Sequence, residues 1–329
     1  MQKRYLAGGI CAAAIAGLYL LNASWLAPAP AGQPRLLAHR GVYQRYDRTG
    51  LTNETCTASR IFKPTTDLLE NTLPSMQAAI NDGADVVEID IHPTTDSQFV
   101  VFHDWTVDCR TDGHGATRDH SLAELKALDI GYGYTWDGGK TFPFRGRFKG
   151  QMPSLKEALD AMPGTTALLN FKSNDPAEAD RLVTYLGGKD GPYWPRVMAY
   201  GGDRPVAELH KIAPDVPTFS KATLKSCGFT YMALGWTGYL PKACHNTILF
   251  LPQNYTWLAW GYPNRLQQRF HAANSYIYLL GPQQGKAGLA GINTPDQLAK
   301  VPPSWRMGIL TDEIESIGPL VSQRADKKL

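Results

Sequence analysis

Apolar positions along this chain come in two rhythms. Short runs rich in Leu, Val, Ile and aromatic residues read as strands: RLLAHRG (35–41), DVVEIDIH (85–92), QFVVFHD (98–104), TALLNFK (166–172), RVMAY (196–200), VPTFS (216–220), LAWGYP (258–263), SYIYLLG (275–281) and RMGILTD (306–312). Between them lie stretches with helical spacing and helical start signals. In NTLPSMQAAINDG (71–83), Thr72 can cap, Pro74 falls in the first turn and Gly83 suits a left-handed stop. Ser121 with Glu124, and Ser154 with Glu157, have capping-box spacing, which satisfies two orphan backbone donors at each helix start. Further helices are expected in DPAEADRLVTYLGG (175–188), with Asp175 as cap, in NRLQQRFHAAN (264–274), and in TPDQLAKV (294–301), capped by Thr294. The segment 129–150 is Gly- and aromatic-rich without a period and reads as a long functional loop or lid; 221–257 is the least legible stretch.

Strand and helix in repeated alternation, with strands apolar enough for burial on both faces, give a parallel sheet with right-handed crossovers. A strand count near eight predicts closure into a single-domain (β/α)8 TIM barrel over residues 32–329. An open doubly wound sheet is the alternative, but no Gly-rich phosphate fingerprint follows the first strand. Residues 1–31 are set apart: Lys3 and Arg4 precede an apolar run from Tyr5 to Leu21, as in a signal peptide or N-terminal signal anchor. The run is long for a cleaved leader and short for a comfortable span, so cleavage near Ala31 and retention as a membrane tether both stay open. Either way an exported protein, periplasmic or extracellular, is expected. A net charge of +3 without a dense basic tract excludes nucleic acid as a partner.

The same strands carry the polar chemistry. Glu88 and Asp90 alternate within VVEIDIH and so project to one side of a strand, where two like charges need a compensating cation. His39 and Arg40 end the first strand, His92 lies on the second, His103 and Asp104 follow the third, and Asn170 and Lys172 lie on or just after the fourth. In a barrel those ends share one rim, and Thr311 and Asp312 close the ring. Trp105 and Trp260 are placed to line that rim, with core packing as the plain alternative.

The motifs AHRG (38–41), ENT (70–72), GADVVEIDIHPTTD (83–96) and VVFHDWTVDCRT (100–111) resemble the glycerophosphodiester phosphodiesterase family. The resemblance implies a barrel that hydrolyses glycerophosphodiesters, the deacylated head groups of phospholipids, to glycerol 3-phosphate and an alcohol. It implies His39 and His103 as the acid and base, Arg40 and Lys172 as phosphate contacts, and Glu88 and Asp90 as ligands of Mg²⁺ or Ca²⁺. Glu70, His92, Asp104 and Trp260 are supporting candidates. Asn170 stands where the family usually has a third metal-binding Glu; an amide oxygen ligates without charge, so affinity should be weaker or an acidic loop residue must help. Two other readings use the same barrel: a phospholipase acting on intact lipid, which would want an exposed apolar rim that these polar, disulfide-tied loops do not advertise, and a non-catalytic phosphodiester-binding protein, against which the retained histidines, Arg40 and Lys172 argue.

Cys11 lies in the leader, leaving Cys56, Cys109, Cys227 and Cys244, an even count that favours disulfides in an exported chain over a metal cluster. Four cysteines allow three pairings. In a barrel the loops carrying Cys56 and Cys109 open on one face, and Cys227 and Cys244 share one irregular segment, so Cys56–Cys109 and Cys227–Cys244 are expected, the first fixing loop 42–69 over the site.

Overall fold

The computed structural model describes residues 2–52, 54–283 and 290–326. Eight parallel strands form a nearly closed barrel: β1 (Arg35–His39), β2 (Val86–Pro93), β4 (Thr166–Phe171), β5 (Val197–Gly201), β6 (Thr218–Ser220), β7 (Ile248–Pro252), β8 (Tyr276–Leu280) and β9 (Gly308–Thr311), in the order β6-β5-β4-β2-β1-β9-β8-β7. The strand β3 (Phe99–Val101) lies outside that ring, pairing antiparallel with the end of β2. Between β6 and β7 a single bridge, Thr218 to Thr247, joins the two ends of the sheet among the described residues.

Two strand expectations are corrected. QFVVFHD forms a strand, but as β3 it turns back on β2 through a tight turn with Ser97 at φ 59° instead of taking a place in the barrel. LAWGYP is not a strand; it is a turn after the 3-10 segment Gln253–Leu258, and the seventh barrel strand is the preceding ILFLP of β7.

The helices start where their side chains cap them. Thr72 accepts from the Ser75 amide, and both capping boxes, Ser121 with Glu124 and Ser154 with Glu157, are complete. The main core lies between sheet and helices, on residues such as Val87, Ile89, Leu169, Leu209, Phe270 and Ile309. The alternate positions point to the barrel axis and pack a smaller cluster of Leu37, Val86, Leu168, Met198, Ile248, Tyr278 and Leu310. Gly308 admits the Tyr278 ring into that layer, since a Cβ there would sit 2.1 Å from it. Above the layer the same faces carry polar groups, because the period of two keeps His39, Glu88, Asp90, Asn170 and Tyr200 pointing inward. The register places His39 beside Glu88, Asp90 beside Asn170, and Asn170 beside Tyr200.

Both disulfides pair as expected, Cys56–Cys109 and Cys227–Cys244, with Cα separations of 5.6 and 4.8 Å. The segment 129–150 is a loop with a core of its own: Phe144 and Phe148 pack with Tyr134, Leu125 and Met152, and Asp129 accepts from the amides of Gly131, Gly146 and Phe148. It is therefore a fixed buttress against loop 42–69, which it meets through the Arg147–Asp67 ion pair at 2.9 Å. The N-terminal helix Gln2–Asn22 leans on the barrel, its last turn held by Arg269, which donates to the Leu21 carbonyl at 3.0 Å and to Asn22 at 3.1 Å. Among the described residues no helix is long and apolar enough to cross a membrane.

Candidate active site

The rim begins with a bend that the backbone holds under tension. After His39 the chain turns through Arg40 at φ 60° and Gly41 at φ 80°, and Asn71 opposite adopts φ 59°. Residues other than glycine rarely take such values without surrounding bonds to enforce them. Here the Arg40 amide donates to the Glu88 carbonyl at 3.1 Å, and the Asn71 amide donates to the Arg40 carbonyl at 3.1 Å. A side chain at position 41 would collide with Ser75, whose hydroxyl caps the carbonyls of Arg40 and Val42.

Each candidate histidine is anchored at Nδ1 by a carboxylate. His39 donates to Asp312 at 2.7 Å and His103 donates to Asp104 at 2.6 Å. Both rings therefore turn Nε2 away from their anchors, and that of His39 stands 3.9 Å from Glu88. Asp312 is further held by the Tyr43 hydroxyl, Arg48, the Gly291 amide and Asn293. Burial opposes its ionisation, but the hydrogen bond and charge of His39 and the charge of Arg48 outweigh that and hold it well below the usual carboxylate range. His103 is pushed down to about 4, first by burial and then by Arg40 and Lys172, against the opposing pull of Asp90.

The paired carboxylates are compensated unequally. Asp90 has Lys172 Nζ at 3.2 Å and Arg40 Nε at 3.3 Å, and it accepts from Asn170 at 2.8 Å and Asn71 at 3.0 Å. Lys172 and Arg40 overcome the cost of its burial and keep it well below the ordinary range. Among the described residues Glu88 accepts only from the Tyr200 hydroxyl at 2.7 Å and the Arg40 amide at 3.2 Å, and burial beside Asp90 pushes its carboxyl up.

Glu70 bridges the two buried arginines, Arg40 at 3.1 Å and Arg110 at 3.2 Å. Arg110 in turn holds Asp104 at 2.7 Å and donates to Thr57 at 2.7 Å and to Tyr134. Thr57 and Arg110 are the chain neighbours of Cys56 and Cys109, so the disulfide stands directly behind the clamp that orients His103.

His39, Arg40, Glu88, Asp90, His103, Asn170 and Lys172 thus converge, with Glu70 and Asp104 behind them. His92, on the same face of β2, is fully buried, and Trp105 packs edge-on to it at 5.8 Å while Arg118 covers the Trp105 ring at 4.6 Å. Trp260 does not join the group. It lies in the turn before helix Asn264–Ala272, its indole donates to the Met232 carbonyl, and it lines a groove against the N-terminal helix. The strand expected to carry it to the rim does not exist. Sequence reading gave Asp312 only a place in the ring and gave Asn71, Arg110 and Tyr200 no role; the TD after the last strand and the Asn of ENT were the signals available.

The residues fit a hard divalent cation. Glu88 and Asp90 supply oxygens from one strand face, and Glu88 carries charge that the protein's own cations leave undercompensated. Among the described residues no cluster of three His, Cys, Asp or Glu is placed to hold a metal, and the amide nitrogen of Asn170 faces Asp90, so a third protein oxygen requires that amide to turn.

Two carboxylate-anchored histidines beside Arg40 and Lys172 on the rim of a (β/α)8 barrel are the groups that phosphoric diester hydrolysis calls for. Residues 39–186 match the glycerophosphoryl diester phosphodiesterase family. A glycerophosphodiester phosphodiesterase of Caldanaerobacter subterraneus subsp. tengcongensis is 35% identical over 180 residues, 52% of this chain and 68% of that one. One of Bacillus subtilis is 28% identical over 45% of this chain and 53% of its own length. Among solved structures, the glycerophosphoryl diester phosphodiesterase domain of an uncharacterized Mycobacterium tuberculosis protein superposes with a TM-score of 0.61 at 17% identity, covering 88% of this chain and 99% of that one. An Oleispira antarctica phosphodiesterase in complex with the product sn-glycerol-3-phosphate gives 0.54 at 19%, over 89% and 97%. The chain belongs to the glycerophosphoryl diester phosphodiesterase family, and glycerophosphodiesters are its substrates.

Proposed function

We propose that this enzyme cleaves glycerophosphodiesters by a two-step route in which His39 and His103 exchange protons with the substrate. The observation that carries the reading is the paired anchoring of both histidines at Nδ1, which leaves both Nε2 atoms unbound by their anchors on the rim that holds Arg40 and Lys172. Arg40 and Lys172 contact the phosphate and offset the charge that builds at phosphorus. A glycerol hydroxyl attacks phosphorus while one histidine takes its proton and the other protonates the departing alcohol; water then opens the cyclic phosphate with the two roles reversed. Burial among cations keeps His103 neutral, the form that accepts a proton, while His39 donates its Nδ1 proton to an ionised Asp312 that fixes its tautomer.

Glu88 and Asp90, with the Asn170 amide oxygen, would hold Mg²⁺ or Ca²⁺, and such an ion supplies further neutralisation of the phosphodiester. Export is part of the same reading, supported by Lys3 and Arg4 before the apolar run 5–21 and by the two disulfides. The test is release of glycerol 3-phosphate from glycerophosphocholine: His39→Ala and His103→Ala should each lose at least 10²-fold in kcat with unchanged circular dichroism, and near-normal rates in both would refute the mechanism.

A further inference from the structure

On the β6–β8 side of the barrel the loops enclose an apolar cavity of about 430 Å³, walled in part by Phe219 and Phe250 from strand ends and by Phe229 and Met232 from the disulfide-tied segment after β6. Its lip is exposed at Leu224, Phe229, Met232 and Tyr255. Ala259 lines both this cavity and a neighbouring groove, in which Trp236, Trp257 and Trp260 face the N-terminal helix, and Trp257 is 77% exposed. The helix itself leaves Tyr5, Ile10, Ile15 and Tyr19 in solvent. One apolar surface therefore runs from the segment after β6, across the turn after β7, to the helix Gln2–Asn22, and contiguous exposure of this kind marks an interaction site. The apolar rim that the loop sequences do not advertise is present.

Charge and composition say what covers it. Between Asp215 and Asp296 the sequence has no Asp or Glu, yet it carries Lys221, Lys225, Lys242, Arg265, Arg269 and Lys286. Lys221, Lys225 and Lys242 are exposed, and none of the three is in an ion pair among the described residues. The acid that bears on the first two is Asp203, on the helix Asp203–Ile212, one carboxylate against two ammonium groups. Lys221, Lys225 and Phe229 follow at four-residue steps through one continuous helical run, so cations and aromatic ring lie along one side of it. Protein–protein interfaces are also enriched in Trp and Tyr but are depleted of Lys. A bilayer with anionic head groups takes both, the aromatic rings at head-group level and the lysines against its negative surface.

We propose that this face of the folded barrel docks on a bilayer bearing anionic head groups, with Phe229, Met232 and Trp257 sunk to the acyl boundary and Lys221, Lys225 and Lys242 against the head groups. The contact belongs to the barrel and adds to whatever the apolar helix contributes. The loops after β6 and β7 leave their strands at the C-terminal ends, the rim on which His39 stands. Docking therefore sets the catalytic rim beside the membrane surface, while the substrate still arrives from solution. Attachment and catalysis use different residues, so each can fail without the other.

The full chain is tested by hydrogen–deuterium exchange on vesicles of phosphatidylglycerol mixed with phosphatidylcholine, on vesicles of phosphatidylcholine alone, and in buffer. Peptides covering 224–239 and 253–260 should exchange more slowly on the anionic vesicles, by about threefold or more, and not on the neutral ones. That protection should vanish in the double variants Phe229→Glu with Trp257→Glu and Lys221→Glu with Lys225→Glu. Turnover of glycerophosphocholine in solution should stay within twofold of wild type in both, which reports an intact fold; circular dichroism serves the same end if the wild type cleaves nothing. No protection, protection confined to residues 2–22, equal protection on neutral vesicles, or protection that both variants keep would overturn the assignment. Self-association of wild type in vesicle-free buffer that Trp257→Glu dissolves would give the face to a second copy of the chain instead.

Discussion

Asp312 is the residue on which the first expectation turns, because among the described residues it is the one carboxylate hydrogen-bonded to His39 and is itself held by four other groups. Asp312→Asn should keep the fold and lower kcat on glycerophosphocholine by roughly 10²-fold or more, since the imidazole loses the anchor that fixes its tautomer; Arg48→Ala, whose shorter bond goes to the oxygen that His39 does not use, should cost far less. Asn170→Glu should tighten Mg²⁺ or Ca²⁺ binding in calorimetric titration by adding a charged ligand beside Glu88, and Glu88→Gln should loosen it. His92 offers a stability readout. Burial, then Lys172, push it down to about 3 from an ordinary 6.5, so between those values the unfolded chain holds the proton that the folded chain refuses. Stability then falls as the pH drops below about 6.5, and by pH 5 this one group should cost about 2 kcal/mol. His103, pushed down to about 4, loses stability over the same range, so urea midpoints of metal-free protein at pH 7 and 5 should show a smaller loss in His92→Gln than in wild type, the difference being the share of His92.

At the scale of elements, what was legible was whatever has a local cause. Thr72, Ser121 and Ser154 announced their helices through caps, and the alternation of Glu88 and Asp90 announced an inward face, because both signals depend on a few adjacent residues. The failures had non-local causes. ILFLP of β7 is a short apolar run that periodicity cannot assign, and the π-helical turn at Leu224–Phe229 breaks the 3.6 spacing that would have revealed the helical stretch on either side of it. The direction of β3 depends on a turn, not on composition. The two disulfides belong to different elements and should differ in effect. Removing Cys56–Cys109 with two serines should lower stability by about 2–4 kcal/mol and also slow glycerophosphocholine turnover, because Thr57 and Arg110 beside it hold Asp104 and Glu70. Removing Cys227–Cys244 should lower the melting temperature with that turnover kept, since its segment borders the apolar cavity and not the histidines.

Across the whole molecule, charge and chemistry are segregated. The described acidic residues of the site, Glu70, Glu88, Asp90, Asp104 and Asp312, stand on or beside β1, β2, β3 and β9, while the acid-free, aromatic stretch builds the opposite wall from β6 to β8. The ring of strands closes within that second wall, and there it is stitched least: β2 and β4 share six registered residue pairs, whereas β6 and β7 meet at Thr218 and Thr247 alone among the described residues. A hoop under thermal load parts where its joint is thinnest, so breathing of this barrel should concentrate at one stave boundary and spare the histidine side. In hydrogen–deuterium exchange the amides of Thr218–Ser220 should label well before those of Val87–Ile91. The molecule would then behave as a rigid jaw opposite a compliant one, with motion at the thin joint leaving the spacing of His39 and His103 undisturbed.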